Sequence, residues 1–159
     1  RIKDIRMDAQ ELCLRYILFS FKYNWEEHSF KDLQSMAPMM DQIVIWLNKL
    51  DREKLQIFLL MFKNSMKRCY ALLGENAFSK GSSKHIINKP LFICWSVILG
   101  YRNIKLELLE SKRDEAIRLH NKYFGEGEYY NAITYSTTTR RNIRLQFEAV
   151  ERILEELSL

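Results

Sequence analysis

Residues 89–100 read KPLFICWSVILG, a run in which Ser96 is the only polar side chain between Pro90 and Gly100. A helix that is apolar nearly all round is typical of an element covered on every side. Asn88 is suited to the N-cap, and Pro90 falls in the first turn, where its missing N–H costs little. We therefore predict a helix over residues 89–100 at the centre of an all-α bundle of about six to eight helices.

Amphipathic helices are predicted on both sides of this run. Residues 8–23 have a wide apolar face, and residues 52–73 are bounded by Asp51 as N-cap and Gly74 as C-cap. In the second of these helices Lys63, Lys67 and Arg68 are assigned to solvent. The stripe assigned to its buried face is Leu55, Phe58, Leu59, Phe62, Met66, Tyr70 and Leu73.

A final helix is predicted after the capping sequence STTTRRN at residues 136–142. Its apolar positions recur at three- and four-residue steps, which indicates one buried face. The stripe is Ile143, Phe147, Val150, Leu154 and Leu157.

Several shorter segments give weaker signals. Ser29 and Asp32 are spaced like a capping box, and Pro38 is expected to end or kink a helix. Residues 103–124 are helical in pattern with a split near Ser111. GEGE at 125–128 is predicted to be a loop, while YYNAITY at 129–135 fits either a short helical turn or a brief extended piece.

Composition fits one soluble domain. The 159 residues are 47% hydrophobic with only five Gly and two Pro, which leaves few turn-formers for an all-β fold. No run approaches the roughly 18 apolar residues of a membrane span, and the first ten residues are unlike a signal peptide. Because the chain begins with Arg1 rather than Met, we expect residues 1–159 to be a fragment of a longer protein.

Patterns for metal, phosphate or acid–base chemistry are not found in the sequence. Cys13, Cys69 and Cys94 lack C-x-x-C spacing and are expected to be buried reduced thiols of a cytoplasmic protein. His28, His85 and His120 are far apart and are interpreted as surface residues rather than metal ligands. We predict no catalytic residue, metal or cofactor. An enzyme with a site assembled from scattered residues stays an alternative, with Cys94 and His120 as its first candidates.

Two basic clusters lead into predicted helices. Positive charge at a helix N-terminus opposes the helix dipole and has no folding benefit, but together with free N–H groups it favours an anion. Contact with a phosphate or a nucleic-acid backbone is therefore considered for Lys80, Lys84, His85 and Lys89 in one cluster and for Arg140, Arg141 and Arg144 in the other.

Two other interpretations of these clusters stay open. The mild net charge of +5 is compatible with nucleic-acid contact without requiring it, and the clusters can be solvated charge on loops. Arg140 or Arg144 can also pair with a carboxylate of a neighbouring helix.

Residues 72–99 consist of LLGENAFSK, a short polar loop and INKPLFICWSVIL. This segment resembles the helical C-terminal part of the GmrSD-type family of bacterial restriction proteins. RIKDIRMDAQELCLRYILF at 1–19 and the segment from YYNAIT to the final helix extend the likeness, while Pro90 stands where that family more often has Ala. The matching residues are Gly74, Glu75, Asn76, Ala77, Phe78, Asn88, Lys89, Leu91, Phe92, Trp95, Ser96 and Val97.

The resemblance implies a non-catalytic helical domain in a defence-related, nucleic-acid-processing protein. Such proteins carry an N-terminal ParB-like domain with an Asp-Gly-Gln-Gln-Arg motif, and many carry a His-Asn-His nuclease domain, neither of which this chain contains. The implied partners are that ParB-like domain and DNA, with no membrane. The alternative is a stand-alone helical module that binds a protein, which predicts an exposed apolar groove and no salt-sensitive DNA binding.

Overall fold

The computed structural model describes residues 8–30, 32–80 and 86–159. Over these residues it confirms an all-α architecture with eight α-helices, one short 3-10 helix and a sheet of two very short strands. In chain order the elements are α1 (Asp8–Lys22), β1 (Tyr23–Asn24), β2 (Ser29–Phe30), α2 (Met36–Leu47), α3 (Arg52–Leu73), the 3-10 helix (Gly74–Asn76), α4 (Lys89–Tyr101), α5 (Leu106–Ser111), α6 (Arg113–Gly125), α7 (Gly127–Ala132) and α8 (Arg140–Glu156).

Helix α4 is buried along most of its length. Every residue from Leu91 to Leu99 is at most 5% exposed, and Trp95 is completely buried. Helices α1, α3 and α8 pack against it, so three amphipathic helices cover an element that has no polar face. Although α4 is strongly apolar, no helix in the described part of the chain is long and apolar enough to cross a membrane.

The predicted helix ends are confirmed at four places. Asn88 Oδ1 accepts a hydrogen bond from the Leu91 N–H at 3.0 Å, and Asp51 Oδ1 accepts one from the Lys54 N–H at 2.8 Å. Thr139 caps α8 in the same way. Gly74 follows α3 with φ +59°, a conformation that favours glycine because it has no Cβ. Local sequence chemistry therefore determines these boundaries.

The segment between α1 and α2 differs from the prediction. Instead of a helix capped by Ser29 and Asp32, the chain forms an antiparallel β1–β2 hairpin in which Tyr23 pairs with Phe30. The two rings are 5.0 Å apart, and both contact the ring of Phe147 on α8. Burial of this aromatic cluster outweighs the weak capping signal.

Pro38 neither ends nor breaks a helix, contrary to the prediction. It is the third residue of α2, where the backbone N–H of an ordinary residue would have no intrahelical acceptor. The ring therefore removes no hydrogen bond, and α2 continues through it to Leu47.

The segment after α4 follows the prediction in part. A split near Ser111 is confirmed, because α5 ends at Ser111 and α6 begins at Arg113. The predicted loop at 125–128 is shorter than expected: Gly125 ends α6, Gly127 begins α7 with φ +78°, and Glu126 alone lies between them. Of the two alternatives for the following segment, the helical one is correct.

The predicted stripe of α3 is wrong at three of its positions, two in the first half of the helix and one in the second. Leu55 and Leu59 are 41% and 43% exposed, and Tyr70 is 59% exposed. The second half of α3 turns Ser65 and Cys69 into the core instead, and both are completely buried. Small residues at these two positions let α3 approach α4 closely, which a stripe of large residues would not allow.

Arg68 is predicted to face solvent, but it lies at the C-terminal end of α4. Its guanidinium donates to the carbonyl oxygens of Leu99 at 3.2 Å and Gly100 at 3.0 Å. A cation at the C-terminus of a helix satisfies free carbonyls and interacts favourably with the helix dipole. Arg68 therefore joins α3 to the last turn of α4.

A buried polar network fixes the hairpin to α8. Glu151 is only 6% exposed, and its carboxylate accepts hydrogen bonds from Tyr23 Oη and from the Arg102 guanidinium. His28 Nδ1 lies 3.2 Å from the same carboxylate, and Arg102 also donates to the Leu159 carbonyl. Burial and the adjacent carboxylate raise the pKa of the Tyr23 phenol. The network compensates a buried charge from several elements at once.

Replacing Gly100 by alanine is expected to lower the free energy of unfolding by about 1–3 kcal/mol. A Cβ there would lie 2.8 Å from Tyr16 Oη and 3.2 Å from Ser65 Cβ, and because both of these side chains are buried, the packing around them would have to shift. Urea unfolding measures the change. Gly125→Ala is the control, because its Cβ would meet nothing within 4 Å. Equal stability of the two variants would contradict this close helix packing.

Candidate functional site

The first predicted basic cluster does not offer a set of free cations. Lys89 Nζ is 2.8 Å from Asp8 Oδ1 and 2.6 Å from Glu11 Oε2, and these hydrogen bonds raise the pKa of Lys89. Lys80 Nζ donates to Thr134 Oγ1 at 2.6 Å, and burial lowers the pKa of Lys80. The other two members, Lys84 and His85, lie outside the described residues.

A cleft of about 480 Å³ lies beside this cluster, at the N-terminal end of α4. Lys80, residues 86–90 and the turn around Thr134 form its walls. Asn88 holds the two sides together, because its side-chain amide donates to the Ile133 carbonyl at 2.9 Å. Carboxylates of α1 neutralise Lys89, so Lys80 is the one cation among the described lining residues of this cleft that has no ion pair.

The second predicted cluster separates into one paired and two unpaired arginines. Arg141 forms an ion pair with Glu128 of α7. Arg140 and Arg144 are exposed in the first turns of α8, and neither forms an ion pair within the described part of the chain. The ion pair with a neighbouring helix that is predicted for Arg140 or Arg144 is therefore formed by Arg141 instead. Arg140 and Arg144 remain available to an external anion.

The residues between 74 and 97 that carry the resemblance have structural roles. Gly74 ends α3, and the Asn76 carbonyl accepts hydrogen bonds from the N–H and hydroxyl of Ser79. Phe78 has φ +74° and packs on the ring of Phe92 of α4. Together with the cap at Asn88 and the buried Trp95, these residues fasten the α3–α4 connection.

Neither candidate for a dispersed catalytic site is accessible. His120, predicted to be a surface residue, is only 2% exposed. Its Nδ1 accepts from the Trp95 indole N–H at 3.2 Å, and its Nε2 is 3.2 Å from the Ser79 carbonyl. The Trp95 donor identifies the neutral tautomer with the proton on Nε2. Cys94 is completely buried, and burial raises the pKa of its thiol.

The three cysteines are free thiols, but they differ in accessibility. Cys69 and Cys94 are completely buried, as predicted. Cys13 is partly exposed and lines a groove, so the prediction of a buried thiol is wrong for it. Within residues 8–30, 32–80 and 86–159, no group of three or more His, Cys, Asp or Glu side chains could hold a metal ion.

An apolar groove of about 210 Å³ lies where α1, α2 and α3 meet. Cys13, Tyr16 and Ile17 of α1 contribute one wall, and Leu47 contributes from α2. The α3 wall consists of Leu55, Phe58, Leu59 and Phe62. Almost all of the accessible lining is apolar, which is typical of a site for apolar side chains.

The groove belongs to a larger exposed apolar surface. We define the α2–α3 arm as residues 44–62, the end of α2, the connection and the first half of α3. The three aromatic rings of Phe21, Trp46 and Phe58 lie within 4.9–5.7 Å of one another and join α1 to this arm. The exposed apolar residues of the arm are Val44, Ile45, Trp46, Leu55, Ile57, Leu59, Leu60 and Met61.

A signal for this surface is present in the sequence. Residues 57–62 read IFLLMF, six consecutive apolar residues that encircle the helix instead of forming one stripe. One buried face needs only about three or four apolar positions every two turns. The additional apolar side chains, Ile57, Leu60 and Met61, are not needed for one buried face. A search for helical periodicity alone does not detect them.

Comparisons with known proteins give no relative from which a role could be transferred. No protein-family model matches the chain, and searches of curated proteins and of solved structures found no match. The function is therefore inferred from the chemistry of the chain's own residues and from the resemblance of residues 74–97.

Acidification is expected to destabilise the protein through His120. Burial lowers the pKa of this imidazole below its ordinary 6.5, so the unfolded chain binds a proton first as the pH falls. The free energy of unfolding should fall below about pH 6.5, by up to about 1.4 kcal/mol per pH unit. Above that pH this contribution is fully present.

Urea unfolding at several pH values, compared with His120→Gln, measures this dependence. Glutamine can accept from the Trp95 indole and donate to the Ser79 carbonyl, yet it does not titrate. The variant should lack the part of the slope that belongs to His120, whereas His28→Gln should retain it. Identical pH profiles for wild type and His120→Gln would contradict the assignment.

Proposed function

We propose that this chain is a non-catalytic helical domain that binds another folded protein unit through the α2–α3 arm. The supporting observation is residues 57–62 of α3, which are apolar on all sides of the helix and yet exposed at Ile57, Leu60 and Met61. A helix of this composition is ordinarily buried on every side. A protein partner that covers the arm would supply the burial that residues 8–30, 32–80 and 86–159 do not.

The size of the surface fits a protein partner. Eight side chains of the arm and the adjacent Phe21 are each between 36% and 59% exposed. At roughly 200 Å² for a large side chain, they leave about 800 Å² of apolar surface. The largest apolar patch of a typical monomer is about 300–600 Å², whereas each side of a standard protein interface contributes about 800 Å².

The resemblance at residues 74–97 supplies the identity of the partner. We propose the ParB-like domain with the Asp-Gly-Gln-Gln-Arg motif, within a GmrSD-type phage-defence or restriction protein of the bacterial cytoplasm. Three free thiols accord with a reducing compartment. We assign no catalytic residue to this chain. A stand-alone interaction module is the alternative. It predicts an exposed apolar groove, such as the one between α1, α2 and α3, and it would use the same arm with a different protein.

The test uses the ParB-like domain encoded by the same gene and isothermal titration calorimetry. Leu60→Asp is expected to weaken binding at least about tenfold, because a carboxylate would be buried without a partner at the interface. Leu108→Asp on α5 is the matched control, since Leu108 is a similarly exposed leucine outside the arm and should bind like wild type.

Each result of this experiment is decisive. Equal binding by wild type and Leu60→Asp would remove the arm from the interface. A gene that encodes no Gln-Gln-Arg motif would contradict the GmrSD assignment and leave the stand-alone module. A ParB-like domain that does not bind wild type at all would overturn the proposed function.

We propose contact with the DNA backbone as a second function. The observation that favours it is the pair Arg140 and Arg144, which are exposed and have no carboxylate partner among residues 8–30, 32–80 and 86–159. Unpaired arginines beside free N–H groups at a helix N-terminus are suited to phosphate. Arg141, paired with Glu128, is the matched control on the same turn.

Binding to duplex and to single-stranded DNA is measured as a function of salt concentration. Replacing Arg140 and Arg144 with alanine is expected to reduce the slope of log K against log salt by about 2, because two phosphate contacts are lost. Arg141→Ala should change the slope less. A wild-type protein with no detectable affinity at low salt would contradict DNA contact.

A further inference from the structure

We propose that the groove between α1, α2 and α3 binds an amphipathic helix of the partner, with an apolar face and acidic residues beside it. This inference rests on the proposed function, because the groove is part of the same surface as the α2–α3 arm. It adds the conformation and the charge of the segment that the partner inserts.

The lining of the groove selects a helix over an extended peptide. All three walls are helices, whose backbone N–H and C=O groups are already paired within each helix. An extended segment would therefore find no backbone partners and would leave its own polar groups unsatisfied in an apolar site. A helix satisfies its backbone internally and presents only side chains, so it enters the groove without this cost.

The groove also admits a helix by its construction. Its lining combines Leu47 of α2 with Leu55 and Leu59 of α3 and with Tyr16 and Ile17 of α1. Apolar anchors of an entering helix recur at three- and four-residue intervals along one face. Successive anchors can therefore contact the row of leucines on α3, while the opposite face of the ligand stays in solvent.

Charge along α3 determines the preferred ligand. Arg52 precedes Leu55 by one turn, and Lys63 follows Leu59 by one turn, so the two cations lie about three turns apart on the same side of α3. Both are exposed, and neither has an ion-pair partner in the described segments. Cations at both ends of an apolar row complement carboxylates that flank an apolar face.

Cys13 makes occupancy of the groove measurable in the unmodified protein. It lines the groove and is partly exposed, whereas Cys69 and Cys94 are completely buried. A thiol reagent such as 5,5′-dithiobis(2-nitrobenzoate) therefore reacts first with Cys13 in the folded state. A ligand in the groove should slow this reaction in proportion to its occupancy.

The probes are two synthetic helical peptides about five turns long with the same leucine face. One carries glutamates at both ends of that face, and the other carries lysines at the same positions. The glutamate peptide is expected to bind about tenfold more tightly and to slow the reaction of Cys13. Fluorescence anisotropy of the labelled peptide measures affinity independently of the thiol.

Reversing the charges tests the role of the cations without altering the apolar lining. Arg52→Glu combined with Lys63→Glu should reverse the preference toward the lysine peptide. Folding should be retained, because both positions are exposed and an acidic residue in the first turn favours the helix dipole. Arg118→Glu with Lys122→Glu on α6 makes the same change in net charge on exposed residues elsewhere and should leave the preference unchanged.

Three outcomes would overturn the inference. The first is equal binding of both peptides, and the second is binding that leaves the reaction rate of Cys13 unchanged. The third is a wild-type chain that sediments as a dimer with Cys13 protected, since a second copy would then occupy the groove.

Failure of this inference is distinguishable from failure of the proposed function. If the ParB-like domain binds and Leu60→Asp abolishes that binding while Cys13 stays reactive in the complex, the arm is an interface and the groove is not its helix site. If the ParB-like domain does not bind at all, the proposed function fails as well. If the ParB-like domain protects Cys13 from the thiol reagent, the result supports both the proposed function and the helix site in the groove.

Discussion

The structure depends on the burial of α4 between α1, α3 and α8. This helix has no polar face to turn to solvent, so its neighbours must cover every side of it and its ends must be satisfied from outside the helix. Asn88 does so at the N-terminus, and Arg68 does so at the C-terminus. Close approach at Gly100 lets α1 and α3 meet α4 at the same level.

This constraint also explains the exposed arm. Only the second half of α3 presents small residues, Ser65 and Cys69, to α4, and the fully buried residues of α3 all lie in that half. At residues 57–62 of the first half, large apolar residues lie on all sides of the helix, and Ile57, Leu59, Leu60 and Met61 are exposed. A single long helix thus joins a rigid core to an uncovered apolar surface, so partner contacts on the arm are held by an element that is itself well supported.

Local chemistry made much of the fold predictable, and non-local contacts limited the rest. Caps at Asp51, Asn88 and Thr139 depend on neighbours three residues away, and they follow from the sequence. Lys89 instead finds carboxylates 78 and 81 residues away, which no local pattern could reveal. His120 was misplaced for the same reason, because its partners come from two other segments. The candidate surface was missed since periodicity reports which residues are apolar and not whether anything covers them.

The hairpin's attachment to α8 has a consequence for synthesis of the chain. Tyr23 and Glu151, which hydrogen-bond to each other, are separated by 128 residues. On the ribosome, the hairpin therefore cannot dock on α8 until residues 140–156 have been translated. Closing so long a loop is entropically costly and slow relative to formation of the helices. The nascent chain consequently carries the side of its aromatic hairpin that faces Phe147 uncovered until α8 has been translated.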